Sequence, residues 1–69
     1  MAPPITNAIR RLRFEHGEMT QQALAEKIGM TRQTVAAIEQ GRYSPSLEAA
    51  FRIAQAFDAR LEDVFQWTG

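Results

Sequence analysis

Apolar and small residues recur at steps of three and four along most of the chain, and no stretch sustains the alternation that a strand requires. Ile9 and Leu12 define the inward stripe of a first helix, flanked by Phe14, that runs from about Asn7 to His16. Thr6 or Asn7 is its cap, and Gly17 its left-handed stop. A second helix begins at Thr20, whose hydroxyl can accept the free amides of the first turn, and ends before Gly29. Thr31 caps a third, which continues to Gln40 and stops at Gly41. Arg42-Tyr43-Ser44-Pro45 then reads as a loop, because proline disfavours helical geometry in the residue before it. Ser46 caps a fourth helix with Leu47, Ala50, Phe51, Ala54 and Phe57 on its apolar side, and a short fifth covers about Leu61 to Phe65. The pattern predicts an all-α, five-helix chain forming one domain over residues 1–69.

The spacing between residues 20 and 40 is more specific than amphipathicity alone. Leu24, Ile28, Val35 and Ile38 can meet inside a crossing of two short helices, and Ala25 is small enough to let their axes approach. Gly29 takes positive φ without steric cost, so the chain can reverse at once. This is the arrangement of a helix-turn-helix, whose second helix lies in the major groove of DNA. At 100° per residue, with Val35 and Ile38 inward, Gln33, Ala36, Ala37 and Gln40 point outward while Arg32 and Thr34 flank them. Gln33 can pair bidentately with adenine and Arg32 with guanine or a phosphate, and alanine methyls allow close approach or contact a thymine methyl. A solvated helix face would have the same composition. The turn beside it favours the reading face.

Net charge complicates that picture and its distribution restores it. The formal charge is zero, unlike the strongly basic balance of many nucleic-acid binders. Residues 1–42, however, hold Arg10, Arg11, Arg13, Lys27, Arg32 and Arg42 against four glutamates, whereas residues 43–69 hold Arg52 and Arg60 against Glu48, Asp58, Glu62 and Asp63. A chain polarised in this way can turn one face to phosphate and keep the other away.

Other chemistry is poorly supported. The only histidine, His16, sits at a helix end, where its charge complements the dipole more readily than it serves catalysis. Glu62 and Asp63 are adjacent and diverge on a helix, and Met19 and Met30 at the two turns read as core filler. No metal shell, cofactor loop or catalytic set is expected, so the chain is not expected to be an enzyme. With 69 residues and no cysteine, it has a small core, without disulfides, that buries only about 60% of its unfolded surface. Dimerisation is the remaining way to add stability. The absence of cysteine, of a membrane-length apolar run and of a secretory signal in MAPPIT places it in the cytoplasm, associated with the nucleoid. No appended domain for a small-molecule effector is expected.

The segments LAEKIGMTRQTVAAIEQGR and PSLEAAFRIAQAF make the chain resemble the lambda-repressor-like, Cro/cI-type (XRE) helix-turn-helix family over residues 7–65. The trailing EDVFQW is similar to that of short, stand-alone bacterial regulators of the cytolysin-repressor kind. These are dimers whose terminal segments can form a short β-ribbon. The resemblance implies that Thr31, Arg32, Gln33 and Ala37 read bases, while Gln21, Gln40, Arg42 and Tyr43 hold the phosphate backbone. A helix amino terminus such as that at Gln21 suits an anion on its own physics. The resemblance also pairs Arg13 with Glu39 as scaffold, against the plainer reading of two solvated charges.

The chain departs from the family at Asp58-Ala59-Arg60. Asp58 stands at a position that needs left-handed backbone, and Arg60 stands where a serine-like cap is usual.

Phe65 and Trp67 near the chain end pose a choice. Either Trp67 closes the chain's own core, or Leu61, Val64, Phe65 and Trp67, with Ile5, form a twofold interface over residues 61–68. The small core and the resemblance favour the interface. The expected function is a sequence-specific DNA-binding transcriptional regulator, a homodimeric repressor on double-stranded DNA at a near-palindromic operator. The other reading is a helix-turn-helix adaptor or antitoxin that works through protein contacts.

Overall fold

The helices anticipated from the periodicity all form, and a two-stranded ribbon joins the chain ends. A computed structural model describes residues 4–69; the first three residues of the expected 1–69 domain lie outside the described residues. In order, these carry β1 (Ile5–Asn7), α1 (Ile9–Glu15), α2 (Gln21–Ile28), α3 (Arg32–Glu39), α4 (Leu47–Ala56), α5 (Leu61–Val64) and β2 (Phe65–Trp67). β1 and β2 pair antiparallel with Ile5 opposite Trp67, Thr6 opposite Gln66 and Asn7 opposite Phe65. Alternation along the ribbon therefore puts Ile5, Asn7, Phe65 and Trp67 on one face.

Local chemistry explains most boundaries. The hydroxyls of Thr20, Thr31 and Ser46 accept the amides of Ala23, Thr34 and Ala49 at 2.9, 3.2 and 3.1 Å, which starts α2, α3 and α4 where the sequence predicts. Gly29 ends α2 at φ +73. Asp58 takes φ +52, as the departure there requires. Arg60 does not cap α5 with its side chain; the Asp63 carboxylate reaches back instead and accepts the Arg60 amide at 3.1 Å. Asp63 is thus more than a solvated charge.

Inside, Ile9, Leu12, Leu24, Ala25, Ile28, Val35, Ile38, Ile53, Ala54, Phe57 and Val64 form one core, with Met19 and Met30 packed against it. His16 bridges two helix ends, its ring nitrogens 2.8 Å from the Leu12 carbonyl oxygen and 3.1 Å from that of Phe57.

Several expectations need correction. The first helix starts at Ile9 rather than Asn7, because Asn7 is held extended in the ribbon and the Ala8 amide donates to the Val64 carbonyl at 2.9 Å. Phe14, expected beside the inward stripe, is 68% exposed, since it stands some 200° round the helix from Leu12. In α4 the buried stripe is Ala49, Ala50, Ile53, Ala54 and Phe57, which leaves Leu47 and Phe51, one turn apart, exposed on its flank. The fifth helix ends at Val64, and Phe65 turns extended to enter β2. No helix among the described residues is long and apolar enough to cross a membrane.

Candidate nucleic-acid interface

α3 is seated by its crossing with α2. Ala25 is fully buried there, Leu24, Ile28, Val35 and Ile38 close around it, and the Met30 amide donates to the Ala25 carbonyl at 2.9 Å to finish the turn. Gly41 at φ +78 ends α3, with its amide on the Ile38 carbonyl at 3.0 Å and that of Arg42 on the Ala37 carbonyl at 2.9 Å. Arg42 and Tyr43 are therefore delivered immediately beyond the helix.

The carboxyl end of α3 is clamped. Arg13 grips Glu39 through two parallel bonds, Nη2 to Oε1 at 2.8 Å and Nε to Oε2 at 3.1 Å, with side chains only 17% and 10% exposed. Arg13 Nη1 also donates to the Met19 carbonyl at 2.8 Å, so the guanidinium ties α1, the turn before α2 and α3 together. Such a fork fixes orientation as well as charge. Arg13 and Glu39 thus form a partly buried, doubly hydrogen-bonded pair rather than two solvated charges.

Gln21 joins the same cluster. Its Nε2 donates to Glu39 Oε2 at 3.2 Å, so its side-chain amide is already engaged while its main chain stays at the start of α2. Among the expected backbone-holding residues, Gln40, Arg42 and Tyr43 are exposed. Of the expected base readers, Arg32 and Gln33 are exposed at the amino end of α3 and Ala37 is half-buried. Thr31 is exposed, with its hydroxyl taken up by the Thr34 amide and lying 3.0 Å from the Thr34 hydroxyl.

Charge at this surface is left uncompensated. Arg11, Arg52 and Arg60 each meet a carboxylate on their own or a neighbouring turn, whereas Arg32 and Arg42, at the two ends of α3, form no ion pair among the described residues. Free guanidinium groups flanking an exposed glutamine make a surface suited to a polyanion with readable edges.

A second surface lies along the ribbon. Ile5, Pro45, Leu47, Ala50, Leu61, Phe65 and Trp67 line a groove of about 440 Å³. Trp67 is 71% exposed, which removes the reading in which it closes the chain's own core. Val64, expected beside it at an interface, is fully buried in the core and has no surface to offer a partner; it supports the ribbon from within. Leu47, 68% exposed, lines the groove instead, whereas an apolar residue at helical spacing reads as core. The Asn7 side chain also reaches the end of α3, a contact across about thirty positions that no local pattern signals.

Comparison with known proteins agrees with this geometry. The helix-turn-helix family model matches residues 9–64. The chain is 51% identical over 59 residues to YgzD, an uncharacterized HTH-type transcriptional regulator of Bacillus subtilis, covering 86% of this chain and 88% of that one. An uncharacterized HTH-type transcriptional regulator of Methanothermobacter thermautotrophicus is 55% identical over 58 residues, 83% of each chain. Among solved structures, the restriction-modification controller protein C.AhdI from Aeromonas hydrophila is similar with a TM-score of 0.74 at 31% identity, over 80% of this chain and 82% of that one.

Proposed function

The chain belongs to the Cro/cI-type (XRE) helix-turn-helix family, and on that premise we propose that it is a homodimeric repressor that reads a near-palindromic operator through the major groove. Family membership makes it a DNA-binding transcriptional regulator and not an enzyme. The observation that carries the finer reading is the exposed amino end of α3, where the Arg32 and Gln33 side chains have no hydrogen-bond or ion-pair partner among the described residues, on a helix whose other end is locked. Arg32 and Gln33 read base edges, with Ala37 allowing close approach and Thr31 shaping the first turn. The main-chain amide of Gln21, with Gln40, Arg42 and Tyr43, holds phosphates. The chain acts in the cytoplasm, on the nucleoid.

Size supports the dimer. One copy measures 31 × 22 × 21 Å, whereas two successive major-groove half-sites are about 34 Å apart. A single copy reads one half-site. The ribbon groove, with Trp67 and Leu47 projecting beside it, offers the self-complementary apolar patch a twofold contact needs.

Zero net charge favours a second reading, an adaptor or antitoxin that keeps the fold for protein contacts. Salt titration on a selected operator separates the two. Two phosphate-holding guanidinium groups per dimer, one Arg42 from each copy, give a log–log slope of about −1.8 at 0.9 per phosphate. A flat salt response, or no enriched duplex, would favour the adaptor.

A further inference from the structure

The side chain of Asn7 belongs to three elements at once. Its main chain is in β1, opposite Phe65. Its Oδ1 accepts the Ile9 amide at 3.1 Å, the first amide of α1, and its Nδ2 donates to the carbonyls of Ile38 at 3.0 Å and Glu39 at 3.4 Å, in the last turn of α3. One amide group thus caps the start of one helix and the end of another. The space around it, between Ile5, Ile38, Gly41, Tyr43, Pro45 and Phe65, amounts to about 10 Å³. That is at or below what one water requires, so the link is direct.

We infer that Asn7 is a positioning residue that transmits the placement of the ribbon to α3 and so sets the distance between the two reading helices of a dimer. The inference rests on the dimeric DNA-reading function proposed above. The ribbon carries Ile5, Phe65 and Trp67 of the groove, and α3 carries the reading face; Asn7 is the polar contact that joins them. Glu39 is held by its side chain from α1 and α2, but Asn7 takes hold of its main chain from the ribbon. Without that hold, α3 remains seated on the core but is free to tilt relative to the partner's α3.

Asn7→Ser separates the two halves of the role, because serine keeps a capping oxygen for the Ile9 amide and is too short to reach Ile38 or Glu39. The test uses the full chain and the operator selected by the unaltered protein, presented at its own half-site spacing, at spacings one and two base pairs longer or shorter, and as a single half-site. The expected result is that Asn7→Ser weakens discrimination among spacings by about tenfold while single half-site affinity stays within about twofold. Ile53→Val, a core change that also lowers stability, should keep the unaltered spacing profile. An unchanged profile in Asn7→Ser overturns the inference. So does an equal loss on half-site and full operator, or a flattened profile in Ile53→Val. If the unaltered chain enriches no operator, the proposed function falls and this inference with it; an operator with an indifferent Asn7→Ser removes this inference alone.

Discussion

The two ends of α3 are built in opposite ways. At the carboxyl end Glu39 is tied inward to Arg13 and Gln21, and the carbonyls of Ile38 and Glu39 to Asn7. At the amino end Thr31 and Thr34 are engaged with each other in a cap local to the helix, and Arg32 and Gln33 reach solvent with no partner among the described residues. The difference separates positioning from recognition. The side chains proposed to meet base edges are left open to solvent, and the helix that carries them is fixed about two turns away.

On that division, substitutions at the clamped end should cost stability and those at the free end should cost specificity. The largest effect is expected for Arg13→Ala, which strands the largely buried Glu39 carboxylate. It should lose roughly 3 to 5 kcal/mol, a fall of about 12 °C or more in Tm by calorimetry, and weaken DNA binding only through unfolding. An unchanged melt would remove Glu39 from the clamp. Next comes Trp67→Ala, which leaves the monomer's core untouched but should weaken self-association by about 2 kcal/mol or more, read by light scattering at tens of micromolar. A monomer before the substitution, or no change after it, contradicts the dimer.

Smaller effects sharpen the free end. Thr31→Ala removes the cap of α3 and should lower stability by about 1 kcal/mol, whereas Thr31→Ser should retain it. Arg42→Ala should leave the melt unchanged and reduce the salt slope by about 2 per dimer, uniformly across operator variants. A sequence-dependent loss would move Arg42 from backbone to base.

What the sequence made legible follows the range of the interactions involved. The caps at Thr20, Thr31 and Ser46, the turn at Gly29 and the exposure of Arg32 and Gln33 depend on residues within one or two turns, and spacing alone locates them. The Arg13–Glu39 pair was reachable only through the family resemblance, since a charge pair across 26 positions has no local signature. The sequence offers Thr6 or Asn7 as the cap of the first helix, and Asn7 fills that role; its other contact depends on the partner strand at Phe65 and the end of α3. Phe14, Leu47 and Phe51 show a different difficulty. Being apolar at helical spacing does not say which flank of a narrow stripe faces the core, and in a domain this small the flanks stay in water. Val64 turns inward, against the expectation, for a related reason. The change from helix to strand at Phe65 resets which residues face inward.

The central claim, that the free amino end of α3 reads sequence, is tested most directly by parallel selections from random duplexes with the unaltered chain and with Gln33→Ala. The expected outcome is a near-palindromic site with half-sites about 34 Å apart. In the Gln33→Ala selection the same site should return, with one position in each half relaxed by roughly 1 to 3 kcal/mol. Identical sites from the two proteins would contradict the assignment of Gln33, and the absence of any enriched site would contradict sequence reading altogether.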